Sequence, residues 1–113
     1  CIRDYVHVLD LAEAHIAALN TLEKVDKGVV YNVGTGKGYS VKEVIQISEK
    51  ITGKKINVEL APRRQGDPDV LIAKVDKIKK ELGWVPKYSQ LETIIGSAWE
   101  WHSKNPQGYR RYF

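Results

Sequence analysis

Apolar and polar positions along the chain switch between a period of two and a helical period, which predicts strands alternating with helices. Residues 2–8 and 56–60 alternate apolar and polar side chains, as half-buried strands do. Residues 29–33 form a nearly continuous apolar run, VVYNV, which is typical of a strand buried on both faces. Residues 70–73 add a short extended segment. The predicted order, β-α-β-α-β-(β)-α-α, indicates an α/β fold.

Four other segments carry apolar residues at helical spacing, with signals for the start and end of a helix. The predicted N-caps are Asp10, Ser40, Asp76 and Ser89. Each of the two serines precedes a Glu by three residues, so both are predicted to form capping boxes. The predicted helices end at about Lys24, at Gly53, at Gly83 and before Asn105. The basic and aromatic tail at 109–113 is predicted to fray.

Composition narrows the class of protein without identifying it. With 113 residues, 42% of them hydrophobic and 28% charged, the chain predicts one globular domain or less. Its net charge of +4 is scattered along the chain, which fits an anionic ligand better than nucleic acid. The single cysteine, Cys1, excludes an internal disulfide framework and favours a reducing compartment such as the cytoplasm. No apolar stretch is long enough to span a membrane, so no membrane partner is expected.

The loop APRRQGD at residues 61–67 carries the most specific chemistry. It sets two guanidinium groups side by side, and Arg presents a planar fork of donors that matches phosphate oxygens. Gly66 allows a tight turn, and the carboxylate of Asp67 can accept hydrogen bonds from neighbouring hydroxyl groups. The loop is therefore either a seat for a phosphorylated sugar or a solvated basic loop, and residue types alone leave both open.

A second glycine-rich stretch, GTGKG at residues 34–38, superficially resembles a phosphate-binding loop. Its spacing is G-x-G-x-G and differs from the dinucleotide fingerprint G-x-G-x-x-G, so a tight connection between strand and helix is the favoured interpretation. In the first strand, Arg3 is either another anion ligand or a partner of Asp4. No metal site is predicted.

Several segments together resemble the extended short-chain dehydrogenase/reductase family, whose members act on nucleotide sugars. These segments are RDYVHVLDLA at 3–12, YNVGTG at 31–36 and SV at 40–41. Three further segments are similar to the members that epimerise UDP-hexoses at C4, namely APRRQGD at 61–67, ELGW at 81–84 and WEWHSKNPQGY at 99–109. The resemblance covers essentially the whole chain in order, and its specificity lies in the joint occurrence of these segments.

The resemblance implies an enzyme in which bound NAD takes a hydride from C4 of UDP-glucose or UDP-galactose, the 4-keto sugar turns, and the hydride returns to the other face. In that family an N-terminal Rossmann domain binds NAD and supplies a Tyr-x-x-x-Lys pair, and neither feature occurs in this sequence. We therefore expect residues 1–113 to form a single C-terminal UDP-sugar-binding region, a fragment without its NAD-binding domain. This region is expected to contain no catalytic or cofactor-binding residue, to be inactive alone, and to belong to a homodimeric parent.

The resemblance also implies roles for four residues of this chain. Arg3 and Arg64 would contact the diphosphate of the UDP-hexose, and Asp67 the hydroxyls of the uridine ribose. Leu71 falls where family members vary the wall of the hexose pocket, a Tyr being restrictive toward N-acetylated sugars and a small residue permissive. Leu is intermediate in size, so we expect some activity of the parent on UDP-N-acetylhexosamines. Arg63 is expected to be a neighbour of the site or to face solvent.

Three alternatives remain open from the sequence. The chain could come from another NAD-dependent nucleotide-sugar epimerase or dehydratase, since these share the pattern found at residues 3–12. It could be a stand-alone module that binds anions or nucleic acid, although no alternation of aromatic and basic residues favours this. It could also be a truncated product in which residues 29–33 leave an unpaired sheet edge that associates between chains.

Overall fold

Short strands alternate with helices in the computed structural model, which describes residues 1–24 and 26–109. Its elements are β1 (Ile2–Arg3), α1 (Val8–Thr21), β2 (Tyr39–Ser40), α2 (Val41–Thr52), β3 (Val70–Leu71), α3 (Asp76–Leu82) and α4 (Leu91–Lys104). A 3₁₀ turn, Leu22–Lys24, follows α1 directly. The predicted α/β class is confirmed. None of the helices in these two stretches is long and apolar enough to cross a membrane.

The strands form one small mixed sheet in the order β2-β1-β3. β1 runs antiparallel to β2 and parallel to β3, and in the parallel pair Arg3 lies opposite Leu71. The amide of Ile2 also donates a hydrogen bond of 2.7 Å to the carbonyl of Asp69. The sheet therefore brings the start of the chain beside the segment that follows the 61–67 loop.

Helix ends that depend only on neighbouring residues are confirmed. Ser40 and Glu43 form the predicted capping box, with reciprocal hydrogen bonds of 3.0 and 2.7 Å. Gly53 and Gly83 close α2 and α3 in the left-handed conformation. α4 ends at Lys104, before Asn105, as predicted.

The prediction of Asp10 as the N-cap of α1 is wrong, because His7 occupies that position. The ring Nδ1 of His7 accepts the amide N–H of Leu9 at 3.0 Å, so the helix begins at Val8. The predicted strand over residues 2–8 is accordingly reduced to β1.

Asp10 instead joins α1 to the segment that precedes α4. Its side chain is fully buried and accepts hydrogen bonds of 2.8 Å from the backbone N–H groups of both Lys87 and Tyr88. The hydroxyl of Ser89 donates a third hydrogen bond to the same carboxylate. The prediction of Ser89 as the N-cap of α4 is therefore also wrong, and Gln90 holds that position.

Two predicted strands are absent from the part of the chain that the structure describes. Residues 29–33 and 56–60 belong to no ladder there, and a strand needs a backbone partner. Residues 29–33 are not buried on both faces either, since Val30 is 77% exposed while Tyr31 and Val33 pack against the core. Asp76 is the first residue of α3 and not its cap. The prediction for the 109–113 tail lies, apart from Tyr109, outside the described residues.

The hydrophobic core is small for a chain of this length. The buried cluster consists of Ala14, Val75, Ile78 and Trp84. The radius of gyration is 17.4 Å, whereas a compact domain of this size has about 13 Å. We call Val8, Ile16 and Leu19 the bare face of α1, because these apolar side chains are 58–69% exposed. Much apolar surface is therefore left without a partner among the residues described.

The pKa of Asp10 reflects how firmly its carboxylate is held. Burial raises this pKa, but the hydrogen bonds from Ser89 and from the amides of Lys87 and Tyr88, together with the nearby His7, lower it below its ordinary value of 3.8. A carboxyl group with a lowered pKa in the folded state stabilises the fold above its unfolded-state pKa. That contribution is lost as the pH falls through the folded-state value.

Replacing Asp10 with Asn is expected to lower the free energy of unfolding at pH 7 by about 2 kcal/mol, because an amide nitrogen cannot accept a backbone N–H. The difference from the wild type should shrink as the pH falls below 3.8, where the wild-type carboxylate takes up its proton. Urea unfolding at several pH values measures both effects, with the exposed Asp26→Asn as control. A difference of constant size across that range would contradict the prediction.

The chain by itself is expected to associate into dimers or larger species. The bare face of α1 exposes apolar surface, and the 29–33 segment has unpaired backbone groups, and both features favour contacts between chains. Leu19→Lys should shift the population toward monomer. Ser103→Lys, which adds the same charge at an exposed position on α4, should leave it unchanged. Light scattering over a concentration series measures the mass, and a monomer at all concentrations would refute the expectation.

Candidate functional site

The carboxylate of Asp67 lies between two guanidinium groups. Arg3 Nη2 is 2.7 Å from Asp67 Oδ1, and Arg64 Nη2 is 3.3 Å from Asp67 Oδ2. Arg3 and Asp67 are 64 residues apart in sequence, and the parallel pairing of β1 with β3 brings them together. Three of the four residues to which a substrate role was assigned thus meet in one cluster.

A tight turn gives the loop this geometry. The amide of Asp67 donates to the carbonyl of Arg64 at 3.3 Å, which folds the two residues toward each other. Gly66 adopts a φ of 79°, in the left-handed region where a side chain would be strained. The sequence Arg-Gln-Gly-Asp therefore returns the carboxylate to the guanidinium that precedes it.

Electrostatics keep the Asp67 carboxylate ionised. Desolvation raises its pKa, but the hydrogen bond from Arg64 and the positive charges of Arg3 and Arg64 outweigh it, so the pKa lies below the ordinary value of 3.8. The Arg3 side chain is only 23% exposed, and its Nη1 donates a second hydrogen bond to the Ile2 carbonyl, so its position is well fixed. Arg64 is 85% exposed. One largely enclosed and one solvent-exposed cation therefore flank an anion.

An open cavity of about 650 Å³ adjoins this cluster. Arg3 and Leu71 line it, together with Asp4, residues 31–33 and residues 72–74. Leu71 is 58% exposed and lies opposite Arg3 in the sheet. The fourth assigned residue thus forms a wall beside the Arg3 guanidinium, and the cavity has room for a group the size of a hexose.

Arg63 does not join the cluster and forms an ion pair with Asp69. Its side chain is 57% exposed, so it is a neighbour that faces solvent. The two adjacent arginines of the loop consequently have different partners, which makes Arg63 a natural control for Arg64.

Asp4 has a larger part in this region than sequence reasoning indicated. Its carboxylate accepts the amide N–H and the hydroxyl of Thr35 at 2.9 and 2.7 Å, the amide of Gly36 at 2.9 Å and the amide of Ala73 at 3.3 Å. The sequence indicates Asp4 only as a partner for Arg3. No local pattern could have indicated these bonds, because the donors lie 31 to 69 residues away.

The glycine turn at residues 34–38 is a connection and not a free phosphate cradle. The amide N–H groups of Thr35 and Gly36 donate hydrogen bonds to the Asp4 carboxylate, so they are not available to an anionic ligand. The interpretation of GTGKG as a connection agrees with this arrangement, but residues 29–33 before it form no strand in the described part of the chain, so the turn does not join a strand to a helix.

Comparison with known proteins places the chain among nucleotide-sugar enzymes. Residues 1–96 match the family described as GDP-mannose 4,6 dehydratase. The UDP-glucose 4-epimerase of Halalkalibacterium halodurans is 52% identical over 109 residues, which cover 96% of this chain and 33% of that protein. The chain therefore spans about one third of the length of the curated relatives it matches.

Solved structures agree with these sequences. The UDP-glucose 4-epimerase of Bifidobacterium longum, in complex with NAD⁺ and UDP, is 44% identical with a TM-score of 0.82, and the match covers 96% of this chain and 32% of that one. The UDP-Glc/GlcNAc 4-epimerase of Campylobacter jejuni is 51% identical with a TM-score of 0.80, covering 92% and 31%.

The resemblance inferred from the motifs is thus confirmed, together with the extended Rossmann-type class of enzyme to which the matching structures belong. Because the family match extends over 96 consecutive residues and includes Arg3, Arg64, Asp67 and Leu71, the chain belongs to the GDP-mannose 4,6 dehydratase family.

Proposed function

We propose that this chain is the nucleotide-sugar-binding part of an enzyme that interconverts UDP-glucose and UDP-galactose through a 4-keto intermediate with bound NAD. The observation that carries the proposal is the Asp67 carboxylate between Arg3 and Arg64, beside the cavity walled by Leu71. The name of the Halalkalibacterium relative and the UDP in the Bifidobacterium complex support the same ligand class. The family description names a dehydratase, but the 52% identical relative favours the epimerase.

In this proposal the two arginines hold the diphosphate and Asp67 holds the uridine ribose. Each Asp67 oxygen accepts one guanidinium N–H and retains a lone pair for a ribose hydroxyl. Arg64, being exposed, can turn from Asp67 to the phosphate oxygens, while Arg3 contributes from a fixed position. Holding the nucleotide end firmly leaves the hexose free to turn, and binding energy far from C4 then positions the reacting carbon.

The glycine turn of this chain does not fit the cofactor. The amides of the glycine turn donate to Asp4, so they do not form a seat for the pyrophosphate of NAD. We therefore assign NAD, and the acid–base chemistry at C4, to an N-terminal domain of the parent enzyme. Residues 1–113 are then a single C-terminal UDP-sugar-binding region that is inactive alone. We also propose, from the family resemblance and the single cysteine, a homodimeric and cytoplasmic parent.

The exposed apolar surface supports this division of the enzyme. The bare face of α1 and the unpaired 29–33 segment are what a region separated from a larger sheet would present. Because this chain spans only one third of its relatives' length, the remaining two thirds of such a protein are large enough to cover these apolar surfaces.

Replacing Arg64 with Ala is expected to weaken binding of UDP to the chain by about tenfold, because a charge-assisted contact to the diphosphate is lost. Arg63→Ala is the matched control, since it removes the neighbouring guanidinium that pairs with Asp69, and its affinity should equal that of the wild type. Isothermal titration with UDP measures both. Equal affinities of the Arg64 variant and the wild type would contradict the assignment.

Leu71 is expected to admit N-acetylated sugars, as the name of the 51% identical Campylobacter relative also suggests. Leu71→Tyr should reduce affinity for UDP-N-acetylglucosamine while leaving that for UDP unchanged, because the bulkier wall narrows only the hexose end of the cavity. Competition titrations with both ligands test this. A parallel loss for both, or for neither, would remove Leu71 from the hexose wall.

A further inference from the structure

The Asp4 carboxylate ties together three segments that are far apart in sequence. Oδ1 accepts the amide and the hydroxyl of Thr35, and Oδ2 accepts the amides of Gly36 and Ala73. Asp4 directly follows Arg3, and Ala73 lies two residues after Leu71. The contacts therefore join β1, the glycine turn and the segment after β3.

The ladder between β1 and β3 ends just where these contacts begin. Its register pairs Ile2 with Val70 and Arg3 with Leu71, and it extends no further. Beyond the ladder, the Ala73 amide donates a hydrogen bond to the Asp4 side chain and not to a backbone carbonyl, so the two segments remain connected. Strands of two residues supply few hydrogen bonds of their own, so this carboxylate is a large part of what holds Arg3 against Leu71.

The packing around Gly34 shows how closely the glycine turn fits this arrangement. A methyl group added at Gly34 would lie 2.6 Å from Ala73 Cβ and 2.7 Å from Asp4 Oδ2. Gly34 is itself buried, so an added side chain there would press directly on both neighbours. The turn is therefore lodged between Asp4 and the segment after β3.

We propose that Asp4 is a positioning residue. It holds the wall formed by Arg3 and Leu71 in the place from which the Arg3 guanidinium reaches Asp67, and thereby sets the affinity of the site for a nucleoside diphosphate. Asp4 acts through Arg3, since its own carboxylate is occupied by backbone and hydroxyl donors. The ligand part of this inference rests on the proposed function, whereas the effect on the Arg3–Asp67 ion pair does not.

The test compares Asp4→Asn with Asp10→Asn, because both carboxylates accept backbone amides and a hydroxyl, but only Asp4 adjoins Arg3. In Asp4→Asn, NMR should show hydrogen exchange at the Arg3 guanidinium accelerated about tenfold as its ion pair loosens. UDP affinity should fall about tenfold. Asp10→Asn should lower the unfolding temperature while leaving both quantities at wild-type values.

The inference would be overturned if hydrogen exchange at the Arg3 guanidinium were unchanged in Asp4→Asn, or if Asp10→Asn changed it equally. Asp4 would then contribute only to the overall stability of the fold. If the wild-type chain does not bind UDP, the proposed function fails, while the exchange measurement still decides the role of Asp4. Should Asp4→Asn not fold, Thr35→Val removes a single donor to Oδ1, and a smaller acceleration at Arg3 is then expected. No acceleration in that variant would equally refute the inference.

Discussion

The candidate site depends on the hydrogen bonds that Asp4 accepts. A carboxylate has room for about four donors, and this one takes them from the glycine turn and from the segment after β3. The strands that meet there are two residues long and contribute little pairing of their own. The relative position of Arg3 and Leu71 is therefore set largely by a side chain whose own oxygens are occupied by backbone and hydroxyl donors.

Asp10 plays a similar part in the first turn of α1. Its buried carboxylate joins α1 to the backbone before α4. The indole N–H of Trp84 donates to the backbone carbonyl of Asp10 at 2.9 Å. A chain whose buried cluster consists of a few side chains has limited hydrophobic stabilisation to rely on. Multiple hydrogen bonds to ionised groups fix the geometry where apolar packing is limited, and the apolar side chains Val8, Ile16 and Leu19 of α1 remain exposed.

The Arg3–Asp67–Arg64 cluster combines two like charges with one carboxylate that pairs with both. Two guanidinium groups in one cluster repel each other, and the carboxylate between them offsets that repulsion. The same carboxylate retains acceptor capacity for hydroxyl groups. The two arginines also differ in exposure, so that Arg3 is largely enclosed while the Arg64 guanidinium faces solvent.

Features that arise within a few residues follow from the sequence alone. The Ser40–Glu43 capping box and the helix ends at Gly53 and Gly83 are of this kind, and the motifs also indicate the family. The partners of Asp4, Asp10 and Ser89 are known only from the three-dimensional contacts, because they lie tens of residues away in the sequence. The tertiary structure also decided that residues 29–33 and 56–60 join no sheet within the described chain, since a strand exists only when another backbone segment pairs with it.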